Sequence, residues 1–243
     1  MRRRPFAQGP SHRRRWSGGF TLVELLVALA AMALLAVMAW RGIDAMGRAQ
    51  ASTRAFGADV RALQAGLGQW GADLDAVAAL PALTALDFDG RVLRITRRWP
   101  YEGPDGSAQT LGGGLRVVAW GLRDVDGRRQ WARWQSDLLQ TRAQWTEAWQ
   151  QAAWWGQNPT EQLRQGEVLI AAADAWQLFY FRNNSWTSPL SSAANGSGGG
   201  AASDGQPPLP DGDRLVLSLT PGQAVSGALT RDWVRPTLGP GGS

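Results

Sequence analysis

The sequence contains no cysteine and no lysine, and its single histidine, His12, lies close to the N-terminus. Without thiols there is no disulfide framework and no thiolate metal site. Without lysine, or histidine beyond residue 12, the rest of the chain lacks Schiff-base lysines, the usual triad bases and most zinc sites. Carboxylates alone are left. The pairs Asp87/Asp89, Asp124/Asp126 and Asp211/Asp213 stand in or beside Asp-Gly or Gly-Asp turns, where aspartate is favoured because its side chain bonds its own backbone. Calcium needs several such oxygens at once, and no complete calcium-binding loop is present. The expectation is a protein that is not an enzyme, with no metal and no cofactor.

The formal charge is +5 and the pI about 11.0, values that on their own suggest a nucleic-acid partner. Their distribution argues otherwise. Arg2, Arg3, Arg4, Arg13, Arg14 and Arg15 precede Phe20, and no acidic residue does. Subtracting those six from 25 leaves 19 Arg against 20 Asp and Glu. The basicity belongs to an N-terminal segment, and no nucleic-acid partner is expected.

An apolar run from Phe20 to Trp40 follows the arginines. As a helix it is about 31 Å long at ~1.5 Å per residue, enough to cross a bilayer once. The arginines hold the N-terminal side in the cytoplasm, while Trp40 and Arg41 suit the far interface. Glu24 is the only ionisable residue in this run. Val37-Met38-Ala39 would fit an ordinary secretory signal cut after Ala39, but a carboxylate early in an apolar region weakens insertion and has no purpose in a disposable signal. A buried acid implies a partner.

The stretch Gly18-Gly19-Phe20-Thr21-Leu22-Val23-Glu24-Leu25-Leu26 resembles the N-terminal processing signal of the type IV pilin and type II secretion pseudopilin families. The resemblance implies cleavage by a prepilin peptidase between Gly19 and Phe20 and N-methylation of the new terminal Phe20. It also implies that Glu24 meets the N-terminal amine of a neighbouring subunit inside the membrane, neutralising both charges and setting the axial step of assembly.

Proline is absent from Phe20 to Leu80, so one helix can continue past the membrane until Pro81. Phe56, Val60, Leu63, Leu67, Trp70 and Leu74 recur at alternating steps of four and three, one apolar helix face that should pack on a head domain. Arg54, Asp59, Arg61, Gln64 and Asp73 fall off that stripe. The glycines at 42, 47, 57, 66, 68 and 71 suggest bends or close packing.

Beyond Pro81, Leu86–Thr96, Leu115–Leu122, Arg128–Gln135, Glu167–Ala172, Ala175–Arg182, Arg214–Thr220 and Ala228–Val234 read as strands, with Asp126-Gly127 a hairpin turn. The strand from Ala175 is apolar on both faces and should be central and covered on both sides. Trp131 and Trp134 are too close for one face, which places at least one at an edge or interface. Residues 136–165 read as a helical insertion. Thr141 and Gln144 form its capping box, and Asn158-Pro159 opens a second short helix. Its tryptophans serve as core or as a partner surface. Pro100–Gly114 and residues 183–213 read as loops.

The expected organisation is a leader at 1–19, a membrane and assembly helix at 20–40, its continuation at 41–80, a strand-rich head at 81–236 and a tail at 237–243. This is an α+β pseudopilin fold, a long N-terminal helix packed on an antiparallel head. Trp40-Arg41-Gly42-Ile43-Asp44, Asp174-Ala175-Trp176-Gln177-Leu178 and the ending Arg214–Leu219 followed by Gly227–Pro236 are similar to the J-type minor pseudopilin of type II secretion. The Trp-rich insertion and the glycine-rich loop depart from that pattern. The resemblance implies a subunit of the pseudopilus tip that primes assembly for protein export. Its partners would be the I and K minor pseudopilins, the major pseudopilin and the prepilin peptidase. It would sit in the bacterial inner membrane as a single-pass protein with a periplasmic head. The alternative is a minor subunit of a type IV pilus or DNA-uptake pilus, supported by the basic run Arg91, Arg94, Arg97 and Arg98.

Overall fold

The computed structural model describes residues 19–99, 101–102, 108–109, 114–191 and 208–236. The arginine-rich leader, the tail at 237–243, most of Pro100–Gly114 and the glycine-rich Ser197–Ser203 therefore lie outside the described residues. Two compact units divide the chain, Met1–Thr53 and Arg54–Ser243.

Leu22–Asp75 form one helix, α1. Its first part is Leu-, Ala-, Val- and Met-rich, residues that lose little on entering a helix or that suit an apolar one. The helix stops short of the expected end at Leu80. The backbone of the next residues turns to strand β2 (Val92–Arg98) instead: the Ala78 N–H donates to Thr96 O (2.8 Å), and Ala76 O accepts from the Arg98 N–H (2.9 Å). A sheet edge thus takes over the hydrogen bonds that a further helical turn would have made, and Pro81 is not the stop signal.

The head unit is built on an eight-stranded, wholly antiparallel sheet. In chain order its elements are β1 (Leu86–Phe88), β2 (Val92–Arg98), β3 (Tyr101–Glu102), β4 (Ala108–Gln109), β5 (Leu115–Val125), β6 (Arg128–Gln135), α2 (Arg142–Gln157), α3 (Glu161–Arg164), β7 (Glu167–Arg182), β8 (Ser185–Thr187), β9 (Gly212–Leu219) and β10 (Gly227–Val234). The sheet runs β1-β2-β5-β6-β7-β9-β10, with β8 paired to the end of β7, while β3 and β4 pair only with each other. Strand β7 is one element rather than two. It pairs with β6 through residues up to Ala172 and with β9 from Ala173 onward, with register shifts at Trp131/Ala132 and Ala173/Ala175. Bulges of this kind bend a strand, and here they curl one long strand between two neighbours.

Each face of the sheet carries a core. On one, Leu63, Trp70 and Leu74 of α1 pack with Leu93, Ile95, Val118, Trp120, Trp131, Leu178, Leu215 and Leu217. On the other, Trp145, Ala148, Trp149, Ala152 and Trp155 of α2 pack with Val92, Val117, Ala119, Ala132 and Trp134. Trp131 and Trp134 therefore lie on opposite faces and both are buried. Neither marks an edge, because two helices cover two sides of the same strand. Strand β7 is central as expected. Only one of its faces is closed, since α2 spans β2, β5 and β6 and leaves Leu169 exposed.

Local chemistry explains the insertion and the turns. The Thr141 hydroxyl accepts from the Gln144 N–H at 3.2 Å while the Gln144 side chain accepts from the Thr141 N–H at 3.1 Å, the capping box read from sequence. Asn158 instead closes the C-terminus of α2, and Thr160 caps α3, so the second helix begins later than Asn158-Pro159 implied. Asp126 and Gly127 both take positive φ (52° and 73°) in the β5–β6 hairpin. So do Asn183 and Asn184 (50° and 59°), which make the first residues of the expected loop at 183–213 a tight β7–β8 turn.

Candidate processing and assembly site

Gly19 and Phe20 precede α1 and are exposed, and a Cβ built on Gly19 would meet no atom within 4 Å. The helix start is fixed by its own side chains. The Thr21 hydroxyl accepts from the Glu24 N–H at 3.3 Å, and a Glu24 carboxylate oxygen accepts from the Thr21 N–H at 3.3 Å. This reciprocal pair is a capping box, and it places a negative charge in the first turn, where the helix dipole favours one. From Phe20 to Trp40 no side chain is buried within the chain. The helix is long and apolar enough to cross a membrane. A surface apolar all round needs lipid or neighbouring helices to cover it.

Of the six stripe residues, Leu63, Trp70 and Leu74 are buried and Val60 and Leu67 are half-buried. Phe56 departs from the expectation. It is 50% exposed. Asp59, about one turn further on, accepts from the Ala224 N–H at 3.4 Å, and the buried part of the apolar face begins at Leu63. Among the glycines, Gly66 marks a close approach: a Cβ there would fall 2.5 Å from Cγ2 of Ile170, the residue bulged out of β7. Positions 42, 47, 68 and 71 have nothing within 4 Å.

Sequence reasoning missed the strongest polar contact between helix and sheet. Asp73 is fully buried. Its Oδ2 accepts from Arg133 Nε at 2.7 Å and from Trp120 Nε1 at 2.9 Å. Its Oδ1 accepts from Arg133 Nη2 at 3.0 Å and from Gln69 Nε2 at 2.8 Å, with Arg97 Nη1 at 2.9 Å. One carboxylate on α1 thus gathers donors from β2, β5 and β6, three adjacent strands. The spacing held the clue. Asp73, expected to fall off the apolar stripe, stands three residues after Trp70 and seven after Gly66, on the buried face.

Two of the four arginines of the basic run pair within the head, while Arg91 and Arg98 are exposed. Arg97 goes to Asp73, and Arg94 pairs with Asp87 and lies 3.8 Å from Asp89. Asp89 also accepts from the Arg91 and Val92 N–H groups at 2.9 and 2.8 Å, and Asp124 accepts from the Gly127 N–H at 3.1 Å. Asp89 braces the turn between β1 and β2, and Asp124, near the end of β5, braces the β5–β6 hairpin. Asp213 differs: it is fully buried and neither carboxyl oxygen has a hydrogen-bond partner. Burial pushes its carboxyl well above the usual carboxylate range, which Arg182 only partly opposes. Among the described residues no group of three or more His, Asp or Glu is placed to hold a metal ion. Of the insertion tryptophans, Trp145, Trp149 and Trp155 are core, while Trp154 is 59% exposed.

A long apolar N-terminal helix packed by its later part on a curled antiparallel sheet is the pilin-like α+β fold. Residues 17–40 match the family described as the prokaryotic N-terminal methylation motif, a motif of type IV pilin-like precursors that covers the start of the apolar helix. The motif implies processing by a prepilin peptidase and assembly with other pilins. No curated protein matches the chain.

Proposed function

We propose that the chain is a J-type minor pseudopilin of type II secretion, a structural subunit of the pseudopilus tip that primes assembly for export of folded proteins. Gly19 and Phe20 would flank the cleaved bond, Phe20 would be methylated, and Glu24 would pair with the N-terminal amine of a neighbour. The leader at 1–19 would be removed, residues 20–40 would span the inner membrane, and the head would lie in the periplasm. The observation that carries this reading is the single carboxylate of the apolar run Phe20–Trp40, on the first turn of the helix and one turn from the end that cleavage would create. The sequence echoes at Trp40–Asp44 and Asp174–Leu178 favour the J type over other minor subunits. The ion pairs of Arg94 with Asp87 and Arg97 with Asp73 leave only Arg91 and Arg98 of the basic run exposed, which favours the secretion reading over a DNA-uptake role.

Co-purification of the full chain from membranes with candidate I and K subunits tests the proposal, read together with the mass of its N-terminal peptide. The expected result is N-methylated Phe20 and a complex containing both partners. A mature terminus at Trp40 would overturn the pilin-type processing. Association with pilus or competence subunits in place of I and K would overturn the secretion assignment.

A further inference from the structure

The two edges of the sheet are finished differently. Strand β1 has only three residues, and its Asp87 is held by Arg94. Strand β10, at the opposite edge, runs eight residues in unbroken register with β9, without bulge or proline. Among the described residues nothing pairs with its outer side. A long regular edge is an open row of N–H and C=O groups, which proteins usually close with bulges, prolines, charges or a covering segment. Here only Arg231 and Asp232 break the row. Asp232 is already engaged: Arg214 Nε and Nη2 donate to its two oxygens, each at 2.7 Å. Arg231 is exposed and makes no ion pair within the described head.

Side chains alternate along a strand, so Leu229, Arg231 and Trp233 share one face, with Leu229 and Trp233 half-buried on either side of the exposed guanidinium. Directly opposed cross-strand residues interact most strongly. A strand added to this edge gains most by placing a carboxylate opposite Arg231 and apolar side chains two residues to either side. A second copy does not supply that. A twofold antiparallel pairing that matches the faces sets Arg231 only against Gly227, Leu229, Arg231, Trp233 or Arg235, none of them acidic.

We infer that β10 is a strand-addition site for an extended segment of a different polypeptide carrying the pattern apolar-x-acidic-x-apolar. This deepens the assembly reading and rests on it, since that reading requires neighbouring subunits and β10 is the head surface that takes one of them. Main-chain bonds supply affinity in such additions, and alternate side chains supply specificity.

Photocrosslinking of the full chain in its own cells tests this, with benzoylphenylalanine incorporated at Thr230 and, as control, at the exposed Trp154. The expected product is an adduct from Thr230, absent from Trp154, whose crosslinked partner peptide contains Asp or Glu flanked at two-residue spacing by apolar residues. Arg231→Glu should lower its yield about fivefold by turning an opposed charge pair into a like one, with leader cleavage at Gly19 unchanged. An adduct of twice the chain mass would replace the inferred partner with a second copy. Absence of any Thr230 adduct from chains recovered in filaments would overturn the inference and leave the assembly reading standing. Absence of the chain from filaments altogether would overturn both.

Discussion

Asp73 on α1 and Arg133 on β6 are joined by two hydrogen bonds, Nε to Oδ2 at 2.7 Å and Nη2 to Oδ1 at 3.0 Å, with both side chains buried. A bidentate pair of this kind fixes orientation as well as distance. It sets the helix at one rotation and one height over the sheet.

Asp73→Ala leaves Arg133 and Arg97 without their carboxylate and should cost about 3–5 kcal/mol, the usual penalty for stranding a buried charge. Guanidinium unfolding followed by tryptophan fluorescence reads the loss as a lowered midpoint. A change below about 1 kcal/mol would mean that the pair is marginal, as exposed ones are.

Gly66 and Gly68 should respond oppositely to alanine. At Gly66 the new methyl meets Ile170 at 2.5 Å, and overpacking of that kind costs about 1–3 kcal/mol. Ile170→Ala in the same chain should recover most of it. At Gly68 nothing lies within 4 Å, so alanine should stabilise the helix by up to about 1 kcal/mol. Equal effects at the two positions would contradict the close approach.

Asp213→Asn should change the pH dependence of stability. Burial raises the carboxyl of Asp213 above its unfolded value, while Tyr180, its register partner on β7, is also raised by burial and by the charges of Asp213 and Asp87. Because the folded pKa is the higher, the contribution of this group to stability is fully present below about pH 3.9, the unfolded value. It falls as pH rises toward the folded pKa, by at most about 1.4 kcal/mol per unit. The asparagine variant should therefore gain stability at pH 7 and none near pH 3.5. A gain independent of pH would assign the effect to something other than the proton.

Replacing Gly19 with leucine should leave uncleaved precursor, seen as a larger band in membrane fractions. Gly19→Ala should slow cleavage only modestly, because the side chain stays small. Glu24→Val should insert at least as well as the native chain, since it removes a charge worth about 2.5–3.5 kcal/mol at mid-helix on insertion scales. It should then enter filaments poorly. Unchanged secretion in the Glu24→Val strain would refute an essential role for the carboxylate.

Much of this was legible because pattern and chemistry agreed locally. The alternation of β9, the Asp126-Gly127 hairpin and the Thr141/Gln144 capping box each depend on a few neighbouring residues, and each stands where the spacing put it. What could not be read depends on distant partners. The end of α1 is decided by β2, the continuity of β7 through Asp174 by the bulge it carries, and the burial of Asp73 by arginines 24 and 60 residues away in sequence. Asn183-Asn184 was a readable turn signal hidden by the low-complexity segment that follows it. At the N-terminal site the motif was fully visible, but the bonds between Thr21 and Glu24 follow from a helix start that only the structure places.

The two stacked tryptophan pairs divide between the two cores. Trp120 and Trp131 lie 4.7 Å apart under α1, and Trp145 and Trp149 lie 5.1 Å apart within α2. Each layer of the head therefore has its own pair of coupled indole chromophores. The first adjoins a carboxylate and the second an arginine, Arg94, 5.0 Å from the Trp149 ring. Near-ultraviolet circular dichroism can thus report the loosening of the head without any label, and a Trp131→Phe or Trp149→Phe variant assigns the signal to one layer.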